Sequence, residues 1–103
     1  MSRLKIGAGF RYHMDINVFI DGGGARRCEG LVVDCPEDLK CFELVLHRAI
    51  NPDSGRFTVS ELSTGLAVGY GQTRRAALAD AFKRIRMNGV ESTLKFIEKK
   101  RVA

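Results

Sequence analysis

Residues 56–89 read RFTVSELSTGLAVGYGQTRRAALADAFKRIRMNG, and the periodicity of this stretch decides the fold. Phe57 and Val59 alternate with polar neighbours, as in a half-buried strand, and run into a turn at Ser63-Thr64-Gly65. Leu66, Val68 and Tyr70 alternate on the way back, and the run ends at Gly71. From Thr73 the period changes from two to about 3.6. Ala77, Leu78, Ala81, Phe82 and Ile85 fall on one side of the wheel as a core-facing stripe, while Arg75, Ala79, Lys83 and Arg86 fall on a flank turned away from it. Thr73 is the expected N-cap and Asn88-Gly89 the expected stop. The stretch therefore reads as a hairpin feeding a helix, with Gly69, Gly71, Arg74 and Arg75 at the junction. Glycines before a helix N-terminus, followed by cations in its first turn, are the ingredients of an anion site.

Upstream, Met14, Ile16, Val18 and Ile20 alternate with Asp15, Asn17 and Phe19 as a strand. Asp21-Gly22-Gly23-Gly24 reads as a turn, since consecutive glycines take positive φ at no steric cost, and residues 26–33 read as the return strand. The glycine triplet lacks the Gly-Lys-Ser/Thr ending of a phosphate loop. Residues 4–12, interrupted by Gly7 and Gly9, show no clear period, and residues 34–38 read as a loop or one helical turn. Phe42, Leu44, Leu46 and Ile50 alternate with Cys41, Glu43, Val45 and His47 in a third strand, closed by a loop at Asn51-Pro52-Asp53-Ser54-Gly55. Residues 91–100 form a short second helix with Leu94 and Ile97 inward and a frayed basic tail, Glu98-Lys99-Lys100-Arg101.

These elements add up to one α+β domain over residues 1–103. It has a mostly antiparallel sheet of about five strands, with the C-terminal helix packed on one face. The other face then needs cover. Phe19, Leu31, Val33, Val45 and Leu62 are assigned to it, and a homodimer through the sheet is the expected arrangement.

Composition narrows the class. A hydrophobic share of 45% rules out a disordered chain. No run approaches the ~20 apolar residues of a membrane span, and MSRLKIGAGFRYH has no apolar core of a signal peptide. Three cysteines, an odd number, fit reduced thiols in the cytoplasm. The net charge of +5 is concentrated at one end: residues 1–71 carry 8 Lys+Arg against 9 Asp+Glu, and residues 72–103 carry 9 against 3. A basic helical third points to an anionic partner.

Cys28, Cys35, Cys41 and His47 are spaced too widely for a zinc site, in which one turn presents a ligand pair two to four residues apart. On one strand, Cys41 and His47 stand ~20 Å apart at about 3.3 Å per residue. Packing roles are expected for the cysteines, and a partly exposed position for His13. No nucleophile elbow, HExxH, CxxC or Walker sequence occurs, so no catalytic residue, metal or cofactor is nominated and the chain reads as a non-enzyme.

The junction Gly69-x-Gly71-x-Thr73-Arg74-Arg75-x-Ala77 resembles the C-terminal half of a double-stranded-RNA-binding domain, in which a strand leads through Gly-x-Gly-x-Ser/Thr-Lys-Lys-x-Ala-Lys into the last helix. The resemblance spans about residues 42–88. It departs from the family at Ser54, where the loop histidine belongs, and at Leu78, in place of a third cation. Gly71-x-Thr73-x-x-x-Ala77 is equally similar to a HicB-type antitoxin half-module. The first resemblance implies that Arg74 and Arg75 contact phosphates and that shape and backbone, rather than bases, are read. The nominated site is Gly71, Thr73, Arg74, Arg75, Lys83 and Arg86. No aromatic stacking platform is expected, because Phe and Tyr alternate as core residues. Two functions follow: a non-catalytic module binding nucleic-acid phosphates, or a protein-interaction module, antitoxin-like or accessory, that dimerises through its sheet.

Overall fold

The alternating stretches pair in chain order. In the computed structural model, which describes residues 4–19, 24–50 and 55–101, β1 (Phe10–Phe19), β2 (Ala25–Val33), β3 (Leu44–Arg48), β4 (Phe57–Glu61) and β5 (Ala67–Gly71) form one antiparallel sheet in the order β1-β2-β3-β4-β5. Helices α1 (Arg74–Asn88) and α2 (Val90–Arg101) follow, and α1 packs on the sheet, chiefly against β5. The turn expected at Asp21-Gly22-Gly23, the loop at Asn51-Pro52-Asp53-Ser54 and the side chain of Phe19 lie outside the described residues.

Register sorts the apolar residues onto two faces, because successive side chains of a strand alternate. Leu31 opposes Leu46, and Leu46 opposes Val59. These three join Val33, Leu44, Ala77, Ala81, Ile85 and Ile97 in the core between sheet and helices. Val32 opposes Val45 and, with Ile16 and Val18, forms a second cluster on the other face. Leu31 and Val33 thus lie on the helix side, contrary to the dimer-face assignment, because the true period of β2 places Val32 between them on the opposite face. Val45 and Leu62 do belong to that face, but Val45 is fully buried within this chain. Half-buried Met14, Cys28, Ile50 and Leu62 border the cluster.

Some boundaries differ from the sequence reading. β1 begins at Phe10, inside the stretch that showed no period, with a register shift between Phe10 and His13. β3 begins only at Leu44, because a 3₁₀ turn at Glu37–Leu39 carries the chain up to Phe42, whose N–H donates to the Leu39 carbonyl at 3.1 Å. Leu39 and Phe42 are buried by that turn and close one end of the core. The tail of α2 is not frayed: it stays helical to Arg101, whose Nε donates to Ser63 Oγ at 2.7 Å and ties α2 to the β4–β5 turn. That turn is itself built around a buried acid. Glu61 accepts from the Ser63 and Thr64 backbone N–H groups and from both hydroxyls, so its carboxylate is satisfied without a cation.

Candidate functional site

Thr73 opens α1 as the sequence requires. Its Oγ1 accepts from the Ala76 N–H at 3.0 Å, satisfying one of the donors that a helix start leaves unpaired. The two glycines before it serve packing. A Cβ built on Gly69 would stand 2.5 Å from Ala81 N and 2.6 Å from Ala81 Cα. One on Gly71 would run into the backbone of Ala76 and Ala77. β5 therefore lies directly on the backbone of α1, and this close approach by itself requires glycine at both positions.

The nominated cations divide. Arg86 is held by Asp38, Nε to Oδ2 at 2.8 Å and Nη2 to Oδ1 at 2.9 Å, and lies over the Phe82 ring. The Arg86 guanidinium holds the Asp38 carboxyl below its usual pKa. Arg74 is half-buried over the Phe10 ring, and its Nη1 donates to the Lys5 carbonyl. Arg75 is exposed and makes no hydrogen bond, ion pair or ring contact among the described residues. Lys83 is exposed too and, among the described residues, makes no bond beyond a through-space pull on Asp80. Asp80 is occupied elsewhere, accepting from Tyr70 N–H at 2.9 Å and Arg84 Nε at 3.0 Å. Burial raises its carboxyl pKa, but those bonds outweigh burial and hold it low.

Two turns of α1 thus present Arg75 and Lys83 to solvent on either side of Ala79. Beside them runs an open groove of about 500 Å³ that the sequence reading missed, lined by Gly7, Ala8, Phe10, Leu78 and Phe82, with Arg74, Arg75 and Ala79 completing it. Its far wall is the N-terminal segment, which is fastened at three points. Leu4 is buried in the core and its carbonyl accepts from His13 Nε2; the Gly9 carbonyl accepts from Asp34 N–H at 2.8 Å; Arg74 holds Lys5. Leu78 and Phe82, expected in the core, do pack against it, but only half-buried. They also line the groove, because the close approach at Gly69 and Gly71 brings Ala77 and Ala81 onto the sheet and leaves the larger neighbours at the core's margin.

Comparison with protein-family models, curated proteins and solved structures found no match.

The groups with chemical potential lie apart from this surface. His47 and Ser60 are almost wholly buried on the second face of the sheet. The carbonyl of Arg48, 2.9 Å from Nδ1, can only accept, so Nδ1 carries the proton and Nε2 accepts from the Ser60 hydroxyl at 2.8 Å. Burial lowers the His47 pKa, with the Arg48 bond opposing. This is a satisfied core pair, closed to a substrate. Cys28 is half-buried, Cys35 buried and Cys41 exposed; burial raises the Cys28 and Cys35 thiol pKa values. Among the described residues no three His, Cys, Asp or Glu side chains converge in a way that would hold a metal, and no helix is long and apolar enough to cross a membrane.

Proposed function

We propose that this protein is a small non-catalytic module that binds nucleic acid through backbone phosphates at the outer face of α1, with Arg75 and Lys83 as the principal contacts. The observation that carries this reading is that both cations stand exposed with no intramolecular partner among the described residues, on the helical third that holds the positive surplus of the chain. A cation already paired has to break its bond before it meets a phosphate, so Arg86 contributes less than its position implied. Arg74 acts mainly by fastening the N-terminal segment. Thr73 shapes the helix start, and Gly71 seats the helix on the sheet. The resemblance of the hairpin-to-helix junction to the double-stranded-RNA-binding domain supports the phosphate-contact part of this reading: β3, β4, β5 and α1 follow one another in the family's order, although a hairpin and a 3₁₀ turn stand where its first helix would precede them.

Two phosphate contacts make a weak, salt-sensitive interaction. Charge reversal of both residues, Arg75→Glu with Lys83→Glu, is expected to abolish binding to duplex and single-stranded oligonucleotides in an anisotropy titration. Undiminished affinity in the folded double variant would remove the proposal.

A further inference from the structure

We propose that the groove between α1 and the N-terminal segment is a seat for an unpaired nucleobase, so that the module prefers single-stranded to fully paired nucleic acid. The inference rests on the phosphate-binding reading and specifies its ligand. A duplex keeps its bases stacked and paired, so it has no flat apolar face to lay into a groove beside the cations. The groove is bordered by two rings, Phe10 and Phe82, both only partly buried, and Leu78 and Arg75 line it with them. Small residues, Gly7, Ala8 and Ala79, complete it and leave room for a flat group. A volume of about 500 Å³ is ample for one base with its sugar.

The ligand that matches such a site joins a flat, apolar, polarisable body to an anion. Single-stranded recognition has this form: bases stack on aromatic rings or on Arg guanidinium planes while cations follow the phosphates. Arg74, lying 5.7 Å from the centroid of Phe10, adds a guanidinium plane to the site. The hydrogen bond of Arg74 to the Lys5 carbonyl orders that side chain before the ligand arrives, so little entropy is lost on stacking. Arg75 and Lys83, about two helical turns apart, then meet the phosphates on either side of the seated nucleotide. An acidic peptide with one bulky apolar side chain meets the charge requirement less well. Exposed Lys95, Lys99 and Lys100 on α2 add to the positive surplus of the same helical third.

The test uses the full chain and a labelled oligonucleotide of roughly ten nucleotides, within the span of a small single-strand site. It is titrated as a single strand and as a blunt duplex of the same sequence at one ionic strength. The expected result is single-strand affinity at least about five-fold above duplex affinity, the lower end of what one stacked base contributes. Phe82→Ala should reduce that preference by a similar factor. Because Phe82→Ala also removes packing, Ala79→Leu serves as the second variant: its aliphatic side chain fills the groove from an exposed helical position, offers no ring for a base to stack on, and should erase the preference with the fold retained. Equal affinity for the two forms, or a preference unchanged in both variants, overturns the nucleobase seat while leaving phosphate binding intact. Absence of binding to either oligonucleotide removes both proposals, and saturable binding of an acidic peptide in that case would assign the groove to a protein partner.

Discussion

A methyl group placed on Gly69 has nowhere to go. The Cβ would stand 2.5 Å from Ala81 N and 2.6 Å from Ala81 Cα, and reaching ordinary contact at 3.4 Å requires α1 to retreat by roughly 0.9 Å. A flexible side chain would swing aside, but these obstacles are helix backbone. The retreat would open the contacts of Ala77, Ala81 and Ile85 with the sheet, which are the buried residues of α1. Overpacking of this kind costs about 1–3 kcal/mol, and a backbone obstacle belongs at the upper end. The alanine also stiffens the unfolded chain, which offsets about 0.4–1 kcal/mol. A net loss of about 2 kcal/mol lowers Tm by roughly 8–16 °C in a domain of this size. Differential scanning fluorimetry of Gly69→Ala measures it. Adding Ala81→Gly removes the methyl contact at 2.7 Å but neither backbone contact, so the double variant should recover little. A Tm within 2 °C or so of the parent for Gly69→Ala would refute the packing account.

Three further outcomes are expected. Thr73→Ala removes the acceptor for Ala76 N–H and should cost about 1 kcal/mol, read as a Tm drop of roughly 4–8 °C. Burial lowers the His47 pKa from its usual 6.5, so below about pH 6.5 the unfolded chain takes up a proton that the folded chain resists. Stability from this residue is complete above that pH and falls as pH decreases, by at most about 1.4 kcal/mol per unit, and His47→Gln should flatten urea midpoints measured between about pH 6.5 and 5. Asp38→Asn releases Arg86 from its bidentate partner. It should strengthen polyanion binding and steepen its salt dependence by up to about 0.9 in log–log slope on a B-form duplex, whereas an unchanged slope would show that Arg86 does not reach the ligand.

The sequence revealed the secondary structure well where its period was long and capped. The β4–β5 hairpin, α1 from Thr73 to Gly89 and the inward turn of Ile97 follow from alternation, cap chemistry and wheel position. The sequence was silent where tertiary contact decides. Nothing local in Lys5-Ile6-Gly7-Ala8 says that Arg74, far along the chain, would hold that segment beside α1. Without that wall, Leu78 and Phe82 read as ordinary core. Asp38 and Arg86 are likewise distant in sequence, so a pairing that removes one nominated cation could not be foreseen from either. The glycines at the junction fit two readings, an anion cradle or a close approach of strand to helix. The distances across Gly69 and Gly71 show the second. The sheet faces show the same limit. Leu31, Val32 and Val33 are apolar in succession, and only the pairing register distributes them between the two clusters.

The most direct measurement is the dependence of oligonucleotide affinity on salt concentration for the parent chain. With Arg75 and Lys83 as the phosphate contacts, log K should fall against log salt with a slope of about −1.8 on a B-form duplex and about −1.4 on a single strand. A slope near zero, or no measurable affinity at low salt, would contradict the claim that this helix face binds a polyanion.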